Sequence, residues 1–414
     1  VGYEALKTED TNGESTALGF QALKTQNAGA SALNTAVGYK AGTAITDGIG
    51  NVIIGAEAGL AATTTDHSVI IGYNAGGGAT LTGHDNVLVG KDAGDVMTSG
   101  AQNVMIGRDV GQATTQGTGN VAIGQAALFT NIDGDGQVAI GLEALYSSEP
   151  ANGQTYNVAV GYQAAKGLTT SHSNVILGGL TAQAALTGVG NVVIGTEAGN
   201  DMTSAATNVL IGLQVADKLI TGSDNVAVGR DALGADTDGS HNTAIGAYAL
   251  AAQNFTTAND SYNTAVGYEA GLSVTTGIHN TLIGGRAGDK LEDADGNVAV
   301  GVNALGKDEL GSKSVAIGRA ALQNQYFTTA TNSFNTAVGE SAGLNITTGV
   351  RNVLIGGEAG GNATTADDSV IIGTAAGGGA TMTGNDNILL GSQAGHDLTS
   401  GNGNVFIGRE AGDK

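Results

Sequence analysis

The sequence predicts an all-β protein, a parallel β-solenoid (β-roll) of about 24 coils with about 17 residues in each coil. The first observation is a phrase of one polar residue, three apolar residues and a glycine, as in residues 120–124, which recurs along the whole chain. The second observation is the regular spacing of this phrase: its closing glycine occurs 24 times, and 17 of the 23 intervals between copies are 17 residues long. The third observation is composition, because 70 Gly, one Pro and no Trp do not suit a layered globular core.

The repeat is continuous from Gly2 to Gly408, which predicts one solenoid domain over residues 1–414 in place of two or three globular domains. The chain begins inside a copy of the phrase and stops within a coil, so we expect a segment of a longer fibre protein. Residues 34–109 match residues 335–410 at an offset of 301 and are about 60% identical to them. This second period indicates duplication of a whole block of coils.

The three apolar residues of the phrase predict a short buried strand, because they are β-branched or aliphatic and turn-forming residues bound them. In such a strand Val121 and Ile123 point to one side and Ala122 points to the other. We expect the flanking pair to fill the interior and the middle residues to form an apolar stripe on the outside. Because a monomer rarely exposes a stripe of that length, the pattern predicts self-association as a cyclic homo-oligomer.

The middle position of the strands is therefore the predicted interface between chains, and no copy of it carries a charge. The interface residues that we expect are Ile53, Ile70, Leu88, Met105, Ile176, Val193, Leu210, Leu282, Leu354, Ile371, Leu389 and Phe406.

Two further positions in each coil are nearly invariant along the chain. The residue that opens the phrase is Asn in 18 of 23 copies, and stacked amides of this kind predict a hydrogen-bonded ladder between coils. Ala recurs three residues after the glycine, which predicts a tight corner.

Composition excludes several classes of function. A net charge of −22 with only 16 Lys and Arg argues against a nucleic-acid partner. The absence of Cys removes thiolate metal sites and disulfides. No apolar run approaches the roughly 20 residues that span a bilayer, so we expect no membrane insertion by this segment.

Repeats such as residues 263–271, Asn-Thr-Ala-Val-Gly-Tyr-Glu-Ala-Gly, resemble the head repeats of trimeric autotransporter adhesins of the YadA type. They are equally similar to repeats in the long fibre proteins of bacterial viruses, especially tail fibres. The resemblance implies a left-handed β-roll, three copies of which wrap about a common axis as a homotrimer. It also implies an extracellular location, on a cell-surface appendage or a virion, and binding to a host surface.

Chemical sites are weakly indicated, so we assign no catalytic residue, no metal ligand and no cofactor. The six histidines fall in or near connecting turns, and most of them are several coils apart, whereas general acid–base catalysis needs partners within hydrogen-bond reach. Three turns carry an Asp-x-Asp-Gly pattern, in residues 133–136, 236–239 and 293–296, and we expect structural turns there. A calcium site is the alternative, although the bidentate Glu of an EF-hand loop is replaced by Leu142.

Three long coils, residues 142–161, 247–267 and 319–339, hold 8 of the 16 aromatic residues. Inserted residues of a solenoid often bulge as loops on its binding face, which makes these aromatics candidates for binding a glycan or a partner protein. The alternative is that they cover the adjacent coil or fill a groove between chains. The candidates are Tyr146, Tyr156, Tyr248, Phe255, Tyr262, Tyr326, Phe327 and Phe334.

These observations predict a non-enzymatic, structural and adhesive protein: the rigid trimeric shaft of an extracellular or virion fibre, whose long coils meet host-surface glycans or proteins. One alternative is a polysaccharide-degrading β-helix enzyme, a depolymerase or lyase, which would need clustered catalytic side chains. The other is a calcium-dependent structural rod.

Overall fold

A computed structural model of the chain describes residues 1–9, 14–29, 31–149 and 153–413. Residues 150–152 of the first long coil lie outside this described part. All regular structure in these residues is β-strand, and the fold is the predicted parallel β-solenoid with a repeat of about 17 residues. Contacts between Cα atoms divide the chain into two compact units, Val1–Thr207 and Asn208–Lys414.

The first unit contains thirteen of the strands. They are β1 (Thr16–Leu18), β2 (Thr35–Val37), β3 (Val52–Ile54), β4 (Val69–Ile71), β5 (Val87–Val89), β6 (Val104–Ile106), β7 (Val121–Ile123), β8 (Gly134–Asp135), β9 (Val138–Ile140), β10 (Gly153–Gln154), β11 (Val158–Val160), β12 (Val175–Leu177) and β13 (Val192–Ile194).

The second unit contains the remaining sixteen strands. They are β14 (Val209–Ile211), β15 (Val226–Val228), β16 (Gly239–Ser240), β17 (Thr243–Ile245), β18 (Asn259–Asp260), β19 (Thr264–Val266), β20 (Thr281–Ile283), β21 (Val298–Val300), β22 (Gly311–Ser312), β23 (Val315–Ile317), β24 (Thr331–Asn332), β25 (Thr336–Val338), β26 (Val353–Ile355), β27 (Val370–Ile372), β28 (Ile388–Leu390) and β29 (Val405–Ile407).

The three-residue strands confirm the strand predicted within each copy of the phrase. Within each unit they pair in parallel and in register, so that every position of one coil lies over the same position of the next. In the pairing of β3 with β4, for example, Ile53 is opposite Ile70. Identical positions therefore form columns that run from coil to coil.

The six two-residue strands form three additional parallel pairs, β8 with β10, β16 with β18, and β22 with β24. The second strand of each pair belongs to a long coil. Part of the additional sequence of these coils therefore extends the solenoid wall.

The orientation of the three-residue strands is opposite to the one predicted from the sequence. Ile53 is fully buried, whereas Val52 and Ile54 on either side of it are 36% and 38% exposed. The same alternation of half-exposed, buried and half-exposed residues recurs in the strands of both units. The middle residues fill the interior, and the flanking pair faces outward.

The asparagine that opens the phrase explains this orientation. Asn51 and Ile53 are two positions apart and therefore share a face of the strand. Asn51 is fully buried, because its amide donates from Nδ2 to the carbonyl of Thr65 at 2.7 Å across the coil. Turning the middle residue outward would also turn this amide outward and break the bond.

The predicted chain–chain interface is therefore wrong in its residues. Their side chains lie inside their own coils, where a second copy cannot contact them. Fully or almost fully buried are Ile53, Ile70, Leu88, Met105, Ile176, Val193, Leu210, Leu282, Leu354, Ile371 and Leu389, and Phe406 is half-buried.

The predicted asparagine ladder is confirmed. Asn280 accepts the backbone N–H of Asn297 on its Oδ1 at 3.0 Å and donates from Nδ2 to the carbonyl of Ala294 at 2.7 Å. Its own backbone N–H donates to Oδ1 of Asn263 at 2.9 Å. Each amide thus satisfies buried backbone groups of neighbouring coils, which fixes their register.

The corner after the strand is as tight as the recurrent alanine predicts. Ala58 is fully buried between two residues in the left-handed region, Glu57 at φ 61° and Gly59 at φ 54°. Left-handed residues on both sides of Ala58 turn the chain sharply. The corner holds a small buried side chain, which is alanine in most coils and Val110, Thr181 or Val215 in three of them.

The closing glycines also form a column that requires the absence of a side chain. Gly284 has φ +134°, and a Cβ placed on it would lie 2.6 Å from the carbonyl carbon and oxygen of Gly301. The neighbouring Gly285 has no such contact within 4 Å.

Replacing a ladder asparagine should destabilise the coils on both sides. In Asn280→Ala two buried backbone groups lose their partners, and we expect a loss of about 2–4 kcal/mol. Because solenoids unfold locally as well as globally, amide hydrogen exchange of β20 and β21 is the suitable measurement.

The matched control is Asn280→Ser. Serine occurs naturally at this position as Ser68, whose Oγ accepts the N–H of Asn86 at 3.1 Å. We expect a loss of about 1 kcal/mol for this variant. Equal exchange rates in the two variants would contradict the structural role of the ladder.

Gly284→Ala should cost about 3 kcal/mol, because the methyl group meets backbone and the φ angle is strained. Gly285→Ala should change the melting temperature little. Thermal unfolding of the two single variants tests this, and equal losses would show that close packing of the glycine column is not the cause.

Candidate binding surfaces

The largest candidate surface is apolar and lies on the outside of the strands. We call it the outer strand face: the first and third residues of every three-residue strand. In β14, β17 and β20 the third residues are Ile211, Ile245 and Ile283, which are 37%, 38% and 39% exposed. Because the strands stack in register, the third residues form an apolar column within each unit. The first residues form a parallel column of Val and Ile that Thr interrupts in six strands, for example at Thr243 and Thr281.

Three of the predicted surface aromatics occupy one equivalent position, immediately before the ladder residue of a long coil. Tyr156, Tyr262 and Phe334 all have φ 49°. They are 53%, 50% and 51% exposed, as a contact surface requires. The residue before the ladder residue is left-handed in the short coils too, for example His67 at φ 50° and Gln102 at φ 59°. The turn before each strand therefore imposes this conformation, which is unusual for a bulky side chain.

These rings also contact the coils beside them. Tyr262 stacks between His241 and His279, with ring centroids 4.9 Å and 5.8 Å away. The ammonium of Lys313 lies 5.4 Å from the ring centre of Phe334. These rings therefore cover adjacent coils, as the alternative predicted, while about half of each side chain remains exposed. Their binding of a glycan or a protein stays a prediction.

Two of the predicted surface aromatics are in the interior instead. Phe255 and Phe327 are only 6% and 7% exposed. Their long coils turn inward at these residues, because each phenylalanine donates its backbone N–H to a buried carboxylate at 3.0 Å. Their assignment as binding residues was wrong, and they pack in the core.

The remaining candidates are intermediate in exposure. Tyr146 stacks on Phe129 with ring centroids 4.8 Å apart. The guanidinium of Arg230 lies 4.6 Å from the ring centre of Tyr248. Tyr326 is 44% exposed and lines a groove, described next.

A polar groove of about 480 Å³ runs across consecutive coils of the second unit. One side is formed by residues six positions after the closing glycine, and the other by residues eight positions after it. We call it the polar groove, and its lining residues are Lys307, Asn324, Tyr326, Asn345, Thr347, Asn362, Thr364 and Thr381.

The amides on one side of the polar groove hold each other in place. Asn324 donates from Nδ2 to Oδ1 of Asn345 at 2.9 Å, and Asn345 donates in the same way to Asn362 at 2.9 Å. Asn362 in turn donates to the carbonyl of Gly378 at 2.7 Å. On the opposite side, the hydroxyl of Thr347 donates to the carbonyl of Thr364 at 3.0 Å.

Sequence reasoning missed this groove. The available signal was that Asn occupies the sixth position after the glycine in three successive coils, at residues 324, 345 and 362. The side chains come together only because the coils stack in register.

The Asp-x-Asp-Gly turns use their carboxylates to join neighbouring coils. Asp135 accepts the backbone N–H of Thr118 at 2.7 Å, and Asp295 accepts that of Ile278 at 2.8 Å. These bonds support the predicted structural turns. The calcium alternative stays a prediction.

Asp236 differs from these carboxylates because it is buried. Asp308 is also buried and occupies the equivalent position in the coil before the next long coil. Asp236 is fully buried and accepts from Gln253 Nε2 at 2.7 Å and from the backbone N–H of Gly239 at 3.1 Å. Burial raises its pKa, and these hydrogen bonds offset the shift only in part. The pKa of Asp308 is raised for the same reason.

The histidines lie in turns, as predicted. His396 is half-buried and the others are exposed, namely His67, His84, His172, His241 and His279. Within the described part of the chain, one group places three ligand-type atoms within 4.8 Å of one another: His396, Asp397 and Asp413. The sequence analysis did not single it out.

No family model matches the chain, and no curated protein is similar to it. No helix among the described residues is long and apolar enough to cross a membrane.

The buried carboxylates make a specific contribution to pH dependence. Because the folded state holds the protons of Asp236 and Asp308 above the ordinary pKa of 3.8, stability falls as the pH rises from that value through the raised pKa. We expect the double variant Asp236→Asn/Asp308→Asn to lack this loss. Urea unfolding from about pH 3 to about pH 8 tests it.

The informative quantity is the difference in free energy of unfolding between wild type and variant at each pH, because the pKa values of some other carboxyl groups shift in the opposite direction. Glu4, for example, has its pKa lowered to about 2 by hydrogen bonds from Lys24, Lys7 and Gln21. A difference that does not change with pH would contradict the assignment.

Proposed function

We propose that this chain is a structural and adhesive segment of an extracellular fibre, on a cell-surface appendage or a virion, and that it assembles as a homotrimer. The observation that supports this most strongly is the outer strand face. Its column of third residues is apolar in every strand and lies beside a column of Val, Ile and Thr, and such a surface is unfavourable in water unless another surface covers it.

The repeat of this face favours a second copy of the chain as its cover. The columns recur at the strand spacing of about 4.8 Å, and a partner must present apolar groups at the same spacing to pack against them. Another copy of the same solenoid does so by construction. Cyclic symmetry lets each copy bury its face against the others without leaving one uncovered. The number three comes from the resemblance to trimeric adhesins and tail fibres.

The internal construction suits a mechanical role. Each coil is held to its neighbours by the backbone ladder, the buried amides and the glycine column, so bending would disturb many short contacts together. Exposed ion pairs between coils, such as Arg351 with Asp368 at 2.6 Å, help to fix the register of neighbouring coils but contribute little to stability.

The adhesive part of the proposal rests on the exposed aromatics of the long coils. Tyr156, Tyr262 and Phe334 present half-open rings at equivalent places. Rings held by their own neighbours lose little entropy when a ligand packs on them. Glycans or proteins of a host surface are the partners that we propose.

The assembly is tested by charging the outer strand face. We expect the wild-type chain to sediment at three times the 40.6 kDa of one chain. The triple variant Ile211→Glu, Ile245→Glu and Ile283→Glu should sediment as a folded monomer, because three charges would be buried without partners in each copy. Analytical ultracentrifugation with circular dichroism makes both measurements.

The matched control carries the same added charge in turns outside the strands, as Ile132→Glu, Thr348→Glu and Thr365→Glu. It should remain a trimer. The proposal is contradicted if the wild-type chain is a folded monomer at micromolar concentration. It is also contradicted if the strand-face variant is still a trimer.

A further inference from the structure

We infer that the polar groove is a binding site for a neutral oligosaccharide. The inference gives a site and a ligand class to the surface-binding part of the proposed function, and it rests on that function. It differs in position from Tyr156, Tyr262 and Phe334, because none of these rings lines the groove. Tyr326 is the one long-coil aromatic among the eight lining residues.

The chemistry of the lining matches the surface of a sugar. Sugar hydroxyls both donate and accept hydrogen bonds, and the polar groove offers both kinds of group in two facing rows of amides and threonines. Asn345 spends one donor and one acceptor on the neighbouring amides of the groove, and its second N–H and remaining lone pair are left for a ligand. Asn362 uses its Nδ2 on the carbonyls of Gly378 and Gly379. Tyr326 adds an exposed ring on which the C–H face of a sugar can pack.

The charge of the lining favours a neutral ligand. Lys307 is the one charged side chain among the eight residues. The net charge of −22 on the chain disfavours polyanions such as nucleic acid or acidic polysaccharide. The lining also lacks the pair of carboxyl groups that glycoside hydrolysis uses, so the inference is of binding without cleavage.

The shape and rigidity of the polar groove also suit an extended ligand. Its volume of about 480 Å³ falls within the range of ligand pockets, and it is open along several coils. The amide-to-amide bonds at 2.9 Å fix Asn324, Asn345 and Asn362 before a ligand arrives. Side chains ordered in advance reduce the entropy cost of binding.

The duplicated block provides an internal comparison. At the offset of 301 residues, Asn345 and Asn362 correspond to Ala44 and Ala61, whereas Thr347 and Thr364 correspond to threonines. The same coils therefore fold with alanine in place of both amides. The amides are not needed for stacking the coils, which leaves binding as a reason for their presence.

The experiment is affinity electrophoresis of the full chain through gels containing neutral polysaccharides: glucan, mannan, galactan, xylan and soluble chitin derivatives. We expect retardation in at least one gel. Asn345→Ala/Asn362→Ala should weaken that binding at least about tenfold, since two hydrogen-bonding groups are lost. Alanine at residues 44 and 61 indicates that this variant folds.

Three single variants separate the polar groove from the long-coil aromatics. Tyr326→Ala should weaken retardation more than Tyr262→Ala does. The control Tyr73→Ala, at an exposed tyrosine outside both the groove and the long coils, should leave retardation unchanged. Retardation of the wild type in none of the gels overturns the inference. It is also overturned if the double amide variant binds like the wild type, or if Tyr262→Ala abolishes binding while Tyr326→Ala does not.

Sedimentation of the same samples keeps this result distinct from the fibre proposal. Trimers that do not bind a neutral polysaccharide overturn the groove and leave the fibre intact. Monomers that bind through the groove support the site and overturn the assembly.

Discussion

The structure depends on the inward-facing asparagine that opens 18 of the 23 copies of the repeated phrase. Its amide satisfies backbone groups of the adjacent coils, and a buried backbone group without a partner is costly. Because Asn51 and Ile53 share a face of their strand, fixing the amide inside also fixes the middle apolar residue inside. This single requirement therefore decides which face of these strands points into the coil and which residues face outward.

Because of that constraint, the surface available for assembly is not the stripe of middle residues that the sequence predicts. Left outside are the first residue of each strand, which is Val, Ile or Thr, and the third residue, which is apolar in every strand. The columns that they form favour self-association. The physical reason for expecting assembly is the same as for a stripe of middle residues, namely apolar surface that recurs in every coil. The side chains that would form the contact are different.

Register is the second consequence of the same ladder. With each coil in place over the next, any residue type that recurs at one position becomes a column, and two adjacent columns become a groove. The polar groove arises in this way from amides and threonines in successive coils. A solenoid can therefore gain a binding site through substitutions on a few coils, without a change in the chain path, as the alanines of the duplicated block illustrate.

The sequence by itself determined the coil length, the strand within each phrase, the amide ladder and the alanine corner, because each is a local pattern repeated many times. The tertiary structure decided which face of the strand is inside. The alternation of side chains allows either face to point inward, and the hydrogen bond of Asn51 to Thr65 across the coil selects one of them. The tertiary structure also decided that Phe255 is buried while Tyr262, seven residues later, is exposed. The place of Phe255 depends on a carboxylate in the preceding coil, Asp236, and a period of 17 residues does not encode that contact.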